Sequence, residues 1–492
     1  MRRCGSSPTL LRAWYDLGDG YGLVLSVVDG MDACILPGDG ISEVVLPLSI
    51  VEADIYDSLL AEAVASLTLA PAERIDGDRG LLDSLAARYV KRIACEEYNY
   101  MQKLMGLMAQ HARIADVGVP AIRISKLFRV NLWLRDLYRR TLLGRGASRL
   151  RRLVGEALGV EDRWVPLDLL SKNCNSHRML LGERLAKLTR LAFNMLSPSL
   201  LHIVPASLLF RSISAKGPGL LRDPLLYVKL DKGRMATRLI PFEKQLYAIT
   251  GVAKASSERT SLLRSTLVVK STGGFKPAVV KRYRDITSAK WIMVAAASIY
   301  LSKPRTRPRQ RLQAEYHYNL LVGSMGFNVP EPLLIDPRRM MAAYVFIEGK
   351  NLLELLQHNP APPEYREYGR LLAELHGKGI VLWDSNPSNV IKHDNELYIV
   401  DLEQARESKE LGDRALDIAV ASYYSIPYSP LASHERARML AEGYIEGGGD
   451  AQVLLEASKY RYAALFLAGS PPQVLEKTRR SLLHVYRSHH TG

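Results

Sequence analysis

Two aspartates and one asparagine stand close together in the stretch GIVLWDSNPSNVIKHDNELYIVDLEQA, residues 379–405. Asn389 follows Asp384 by five positions, and Asp401 ends the strand-like run LYIVD. Carboxylate and amide oxygens are ligands that Mg²⁺ accepts, so these side chains could hold a metal–phosphate complex and a hydroxyl together. Asp and Asn are also common turn residues, and three separate turns would give the same spacing.

The segments around these residues follow a regular order from about residue 241. KQLYAIT predicts a strand, and the polar stretch GVAKASSERT predicts a loop. SLLRSTLVVKS and KPAVVKRYRD predict two further strands joined by a TGG turn. RLQAEYHYNLLVGSMG predicts a helix, and VPEPLLI and MAAYVFIEG predict two more strands. The sequence therefore predicts five strands with one helix after the third, followed by a mostly helical region.

This order resembles the small lobe, hinge and large lobe of the protein-kinase-like superfamily over residues 241–492. Within it, the chain is similar to the small atypical kinases of archaea, which include the KEOPS-complex kinase, the RIO kinases and related tRNA kinases. LLAELHGKGIVLWDSNPSNVI looks like their helix and catalytic loop, and GDRALDIAVASYY looks like the segment that follows. The resemblance implies an α+β domain with a small lobe over 241–347 and a large lobe over 350–492. It also implies that Asp417 braces the catalytic loop.

The resemblance assigns a role to each charged or amide side chain of the site. Phosphoryl transfer from ATP depends mainly on positioning and on neutralising charge. Lys281, at the end of AVVK, would hold the phosphates, and Glu315 in the following helix would hold Lys281. Asp384 would orient the attacking hydroxyl, while Asn389 and Asp401 would bind Mg²⁺ or Mn²⁺ in the D-x-x-x-x-N arrangement of kinases.

Three features depart from the pattern of the superfamily. The metal aspartate stands in DLE rather than D-F-G, and GVAKASSERT replaces a glycine-rich loop. In that loop, Ser256 or Ser257 could contact the ATP phosphates. The segment 404–412 is too short for a long activation loop, which indicates an acceptor other than the peptides of eukaryotic kinases.

The resemblance also places the adenine ring. Adenine would hydrogen-bond to the backbone of the hinge near Glu348, with Phe346 and Ile347 beside it. ATP and Mg²⁺ or Mn²⁺ are therefore the expected cofactors.

Positive charge is concentrated in residues 121–240, predicted to be a mostly helical basic segment. This segment carries a net charge of +15, which equals that of the whole chain. Its densest run holds Arg129, Arg135, Arg139, Arg140, Arg145, Arg149, Arg151 and Arg152. Arginines interleaved with aromatic residues can hold phosphates and stack on bases, which indicates an RNA, including tRNA, as partner. A helix with a solvated arginine face and an anionic membrane surface are the alternatives.

Residues 1–120 begin with strand-like segments, continue with helical patterns and contain no catalytic motif. We therefore expect a mixed, mostly helical region before residue 241, with no role predicted for residues 1–120. The four cysteines are scattered without C-x-x-C pairing, which predicts free thiols in a reducing cytoplasm. No apolar run predicts a signal peptide or a transmembrane helix.

The predicted function is an ATP-dependent phosphotransferase, like an atypical serine/threonine-protein kinase, that moves the γ-phosphate to a hydroxyl on a protein or an RNA. A catalytically silent kinase-fold scaffold that binds RNA or a protein complex is one alternative. A small-molecule kinase, similar to the aminoglycoside and choline kinases, is another. A small substrate would not require the basic segment.

Overall fold

The computed structural model describes most of the chain, in two compact units. The described residues are 7–31, 33–36, 38–127, 131, 134–171, 223–251, 256–259, 266–270, 277–284 and 304–490. The N-terminal unit comprises residues 1–103 and 109–231, and the C-terminal unit comprises 104–108 and 232–492. The boundaries predicted at residues 120 and 240, and between the lobes, stay predictions. No described helix is long and apolar enough to span a membrane.

The N-terminal unit contains two sheets and seven described helices. Its strands are β1 Thr9–Gly18, β2 Tyr21–Val28, β3 Cys34–Leu36, β4 Ile41–Pro47, β5 Arg74–Gly77, β6 Ala112–Ala115, β7 Trp164–Pro166 and β8 Val228–Leu230. Its helices are α1 Leu48–Asp57, α2 Ala63–Leu67, α3 Arg79–Met105, α4 Gly118–Leu127, α5 Arg135–Leu142, α6 Gly144–Leu158 and α7 Leu167–Ser171. The strand orders are β3-β4-β2-β1-β5 and β7-β6-β8. Leu11, Ala13 and Tyr15 are buried at every second position of β1, so one face of the larger sheet belongs to the core.

The prediction of free thiols is wrong for two of the four cysteines. Cys34 and Cys95 are both disulfide-bonded. Cysteines without a spacing motif can still be brought together by the fold, which the sequence pattern does not report. Disulfides occur in secreted proteins and also in intracellular proteins of hyperthermophilic archaea, so the cysteines give no argument for a reducing compartment.

The C-terminal unit begins with a six-stranded sheet. Its strands are β9 Arg234–Met235, β10 Ser256–Arg259, β11 Thr266–Lys270, β12 Ala278–Arg282, β13 Pro332–Asp336 and β14 Met341–Val345. The strand order is β10-β11-β12-β14-β13-β9, which puts β12 and β14 at the centre. Helices α8, Phe242–Thr250, and α9, Pro308–Ser324, accompany the sheet.

The prediction that KQLYAIT forms a strand is wrong, because these residues belong to α8. Pro241 precedes the helix, and Gly251 ends it in a left-handed conformation with φ of 68°. Phe242, Leu246 and Thr250 are buried at a spacing of four, so their period is helical. A proline before a helix and a glycine after it were the signals that could have shown this.

The rest of the C-terminal unit is mostly helical. Its helices are α10 Leu352–Leu355, α11 Glu364–Gly377, α12 Leu411–Tyr423, α13 Ser433–Glu446, α14 Ala451–Ala457, α15 Tyr460–Ala463 and α16 Pro472–His490. Short strands lie between them: β15 Lys350–Asn351, β16 Ile380–Val381, β17 Val390–His393, β18 Glu396–Ile399 and β19 Arg406–Glu407. One apolar core runs through these helices and includes Leu372 and Leu440, neither of which is exposed.

Two glycines let α11 and α13 pack with their backbones in contact. A Cβ added to Gly443 would lie 1.9 Å from the carbonyl oxygen of Arg366, and one added to Gly369 would lie 2.0 Å from that of Leu440. Since α11 leads directly into the segment that contains Asp384, the close crossing of α11 and α13 sets the position from which that segment starts.

We expect Gly443→Ala to lower the free energy of unfolding by about 3 kcal/mol or more, because the new methyl group forces the two helices apart. Gly377→Ala is the matched control in α11, since its added Cβ meets no atom within 4 Å. The control should be neutral or stabilise by up to about 1 kcal/mol. Chemical denaturation measures both variants, and equal effects would contradict the close crossing.

Candidate active site

The hairpin of β17 and β18 brings Asn389 and Asp401 together. Its two-residue turn is Asp394–Asn395, with positive φ angles of 47° and 67° at the two positions. Asp and Asn tolerate this conformation, and such turns match the twist of paired strands. The Val400 N–H donates to the Asn389 carbonyl at 3.0 Å, so Asn389 and Asp401 lie at the same open end of the hairpin.

The loop that contains Asp384 is held by its own amide side chains. Asn386 Nδ2 donates to Asp384 Oδ1 at 2.8 Å, and Asn389 Nδ2 donates to the Asp384 carbonyl at 3.1 Å. The amide of Asn386 therefore orients the carboxylate, while the Oδ1 atom of Asn389 is left for another partner. Sequence reasoning missed Asn386. Its position two residues after Asp384, within the same loop, was the only signal.

Asp417 of α12 lies beneath this loop and is fully buried. Its carboxylate accepts the backbone N–H groups of Leu382 at 2.8 Å and Trp383 at 2.7 Å. His376 Nε2 lies 3.1 Å from Asp417 Oδ2, and its Nδ1 lies 2.9 Å from the hydroxyl of Tyr444. Because a carboxylate only accepts hydrogen bonds, Nε2 of His376 is the donor to Asp417. The predicted bracing residue is thus in contact with the backbone just before Asp384.

Lys281 projects from the central strand β12 into a group of acceptors. Its Nζ donates to Glu315 and, at 2.8 Å, to the carbonyl of Val400, and it lies 3.4 Å from Asp401 Oδ1. Tyr283 donates to the second oxygen of Glu315 at 2.5 Å. Burial disfavours the charge of Lys281, but Asp401 and Glu315 outweigh it and raise the pKa of Lys281. Lys281 is therefore a fixed cation beside Asp401.

The residues predicted to bind a divalent cation fit that role. Asp401 Oδ1 is buried and accepts no hydrogen bond from the described residues, and Asn389 binds its own loop through Nδ2 rather than Oδ1. Oxygen atoms of Glu315, Asp401 and Glu403 lie within 4.8 Å of one another. Glu403 Oε2 is paired with Arg311 Nη2 at 2.6 Å, whereas Asp401 Oδ1 has only the more distant ammonium of Lys281 beside it among the described residues. Burial and the charge of Asp401 raise the pKa of Glu403 to about 7.

The loop predicted to contact ATP through Ser256 or Ser257 is in part a strand. Both residues belong to β10 and pair with Lys270 and Val269 of β11. The prediction of a loop at these positions is wrong, since β10 is an edge strand and edge strands are often polar. Only the backbone of β10 is described, so the predicted phosphate contacts stay a prediction.

The hinge predicted to bind adenine follows β14. The Phe346 N–H donates to the Pro277 carbonyl at 2.9 Å, which uses this donor within the sheet. In the described part of the chain, the backbone groups of Ile347 and Glu348 make no hydrogen bond, so they are the ones available to a base. A Cβ on Gly349 would lie 2.2 Å from the Lys392 carbonyl, so glycine is required where the hinge meets β17.

The arginine run of the basic segment lies in α5 and α6 of the N-terminal unit and is largely paired there. Arg129 lies outside the described residues, and only the backbone of Arg135 is described. The pairs are Arg139–Asp136, Arg140–Asp16, Arg149–Asp83, Arg151–Asp116 and Arg152–Asp83. Arg145 forms no ion pair with any described residue. The exposed arginines of the run are Arg139, Arg145, Arg151 and Arg152. A helix with a solvated arginine face and an RNA partner therefore both stay predictions.

No protein-family model matches the chain. The chain is similar to the KEOPS complex subunit Bud32 of Pyrococcus abyssi, with 28% identity over 146 residues, or 29% of this chain and 60% of that protein. It is also similar to a probable serine/threonine-protein kinase BUD32 homolog of Archaeoglobus fulgidus, with 27% identity over 32% of this chain and 80% of that protein. A probable bifunctional tRNA threonylcarbamoyladenosine biosynthesis protein of Methanosarcina mazei is 29% identical over 24% of this chain and 20% of its own length.

Solved structures with some likeness include the Rio2 kinase of Chaetomium thermophilum in complex with ADP, Mg²⁺ and phosphoaspartate. It is 13% identical, has a TM-score of 0.26, and the match covers 58% of this chain and 86% of that one. A structural overlap of this size carries no argument about function. The sequence relatives confirm the predicted resemblance to the protein-kinase-like superfamily, and within it to the small atypical archaeal kinases. Their names support an α+β kinase-like fold and an atypical kinase-like function.

Proposed function

We propose that the chain is an ATP- and Mg²⁺-dependent phosphotransferase that moves the γ-phosphate of ATP to a hydroxyl on a protein or an RNA. Mn²⁺ would serve in place of Mg²⁺, since both accept carboxylate and amide oxygens. The chain matches only 60% of the length of the Pyrococcus protein, so the support for this activity comes from the site of this chain.

The observation that supports this proposal best is the position of Lys281. Its ammonium lies between Glu315 and Asp401, and the Asp401 loop is joined through Val400 to Asn389. Asn389 is in turn bonded to the backbone of Asp384. Phosphoryl transfer requires a fixed cation, oxygen ligands for a metal ion and a carboxylate near the acceptor hydroxyl. In this site these groups are connected to one another by hydrogen bonds and ion pairs.

Each side chain has a separate task in this proposal. Lys281 binds the phosphates of ATP, and Glu315 with Tyr283 holds Lys281 in place. Asn389 and Asp401 hold Mg²⁺, which would neutralise the charge that develops on the phosphates when bound. Asp384 accepts a hydrogen bond from the acceptor hydroxyl and takes its proton as the hydroxyl oxygen bonds to the γ-phosphorus and the bond from that phosphorus to the bridging oxygen breaks, which releases ADP.

The two alternatives differ from this proposal in observable ways. A silent scaffold has no need for every charged position to be filled, and here each predicted position carries a suitable side chain. A small-molecule kinase would label neither protein nor RNA. Incubation with γ-labelled ATP, Mg²⁺ or Mn²⁺, and total cell protein and RNA distinguishes the proposal from both alternatives, since neither a silent scaffold nor a small-molecule kinase labels a macromolecule. Label in either macromolecular pool is expected, and label in neither pool would contradict the proposal.

The partner in this proposal is a macromolecule. Relatives are named for the KEOPS complex and for tRNA threonylcarbamoyladenosine biosynthesis, which supports a tRNA or a protein of a tRNA-related complex as the acceptor. Arg145 is exposed and forms no ion pair with a described residue, and Arg139 is exposed with its described ion pair inside its own helix, to Asp136. The proposal assigns these two arginines to a phosphate backbone.

We expect Asp401→Ala to lower the rate of phosphoryl transfer by at least about 10³-fold, because a ligand of the metal–nucleotide complex is removed. Asp394→Asn is the matched control, since it lies in the turn of the same hairpin and Asn tolerates its positive φ. Turnover of labelled ATP measures both. A rate for Asp401→Ala close to that of wild type would exclude the metal-binding role.

We expect Asp384→Asn to leave ATP affinity within about twofold of wild type and to lower transfer by roughly 10²- to 10⁴-fold, since the general base is removed while the groups that bind the nucleotide remain. The amide can still accept the hydrogen bond from Asn386, so the loop keeps its geometry. Calorimetry with ATP and turnover assays test the two parts separately. If affinity and activity fall together, Asp384 holds the metal or the loop instead.

We expect the double change Arg139→Ala and Arg145→Ala to weaken tRNA binding and to reduce the slope of log affinity against log salt by about 0.7 for each phosphate that is no longer neutralised. Arg149→Ala is the control, because Arg149 is mostly buried and paired with Asp83. It should affect stability and leave the slope unchanged. Binding of tRNA weaker than micromolar by the wild-type protein at low salt would contradict the RNA part of the proposal.

A further inference from the structure

Helix α9 carries two charged side chains that contact two different parts of the site. Glu315 binds Lys281 and Tyr283 of the β12 segment. Arg311, one turn earlier and therefore on the same face of the helix, binds Glu403 at 2.6 Å. The helix is thus tied to the central strand at one position and to the segment that follows Asp401 at the other.

Arg311 has more than one partner. Its guanidinium also donates to the carbonyl of Arg284 at 3.2 Å and lies 5.9 Å from the ring centroid of Tyr283. The side chains of Arg311 and Glu403 are only 11% and 9% exposed. Arg311 therefore joins the end of the β12 segment to Glu403 in an environment where charge interactions are strong.

Glu403 stands where the D-F-G sequence of the superfamily has its glycine, two residues after Asp401. A carboxylate at this position could be a third metal ligand or could fix the loop. The hydrogen bonds favour the second role. Arg311 binds one oxygen of Glu403, and both oxygens of Glu315 are bound by Lys281 and Tyr283. Asp401 alone of the three keeps a buried oxygen without a hydrogen bond from the described residues.

We infer that Arg311 and Glu403 form a positioning pair that holds the Asp401 loop against α9, in register with Lys281. The inference rests on the proposed function, because it concerns the binding of the metal–nucleotide complex. Glu403 then acts through Asp401 and does not itself contact the metal. Loss of the pair should release the Asp401 loop while Lys281 and the hinge remain in place.

The test separates positioning from a merely structural role. Arg311→Met or Glu403→Gln alone leaves a buried charge without its partner, which should lower Tm by roughly 10 °C. The double variant Arg311→Met with Glu403→Gln removes both charges and should recover most of that stability. Its affinity for ADP in the presence of Mg²⁺ or Mn²⁺ should nevertheless stay about tenfold or more below that of wild type, as for other groups that orient metal ligands.

Calorimetry with ADP, with and without the metal ion, measures this directly. Affinity for ADP without metal should be unchanged, since positioning of Asp401 affects only the metal-dependent part. Arg366→Met with Glu442→Gln is the matched control, because it removes an ion pair between α11 and α13, at 2.6 Å, away from Asp401. This control should bind the metal and ADP as wild type does.

Three outcomes would overturn the inference. If the double variant is stable and binds metal–ADP as wild type does, the pair is structural only. Should the double variant fail to fold, Glu403→Gln alone decides, since its amide is isosteric, and wild-type affinity for metal–ADP in that variant would overturn the inference too. If wild type shows no metal-dependent affinity for ADP, the proposed function fails together with the inference.

Discussion

The buried carboxylate of Asp417 is the interaction on which the geometry of the site depends. A buried charge is strongly unfavourable unless hydrogen bonds compensate for it. Here the compensation comes from the backbone N–H groups of Leu382 and Trp383. Trp383 has a φ of +64°, which is strained for an aromatic residue, and its indole donates to Asp413 at 3.0 Å. The strained backbone of Trp383 is therefore held by hydrogen bonds from its backbone N–H and from its indole. Because Asp384 is the next residue, the conformation of Trp383 sets the position of Asp384.

A balance of charge sets the second condition for the site. Three carboxylates within 4.8 Å of one another would repel, and Lys281 and Arg311 lie among them as the compensating cations. Each cation is shared between an acidic side chain and a backbone carbonyl, so it is fixed in position as well as in charge. Opposite charges are also paired in the N-terminal unit, where most of the described arginines of the run form ion pairs with aspartates of the same unit.

The sequence predicted the parts of the site whose spacing is local. Asp384 and Asn389 share one loop, and the hairpin turn at Asp394 leads to Asp401, so a short pattern carries the information. The strand that carries Lys281 and the helix that carries Glu315 were also predicted. Elements without a strong local pattern were predicted wrongly. Helix α8 was predicted as a strand because the residues of KQLYAIT occur in helices and strands alike. Strand β10 was predicted as a loop because an edge strand can be polar. The partners of Arg140, Arg149 and Glu403 are distant in sequence, so no local spacing could report them.

The segment that follows Asp401 has little conformational freedom. β19 pairs with β16, Val381 opposite Arg406, and the Ser408 N–H donates to the Gly379 carbonyl at 2.9 Å. Arg406 also lies 4.2 Å from the ring centroid of Trp383. Kinases that are switched by phosphorylation order a flexible loop at this point of the chain. Here the corresponding stretch is already a strand of a small ladder, so an on–off change would have to break backbone hydrogen bonds beside Asp384. If the proposed phosphotransfer holds, its rate would therefore depend on the arrival of the two substrates rather than on ordering of this segment.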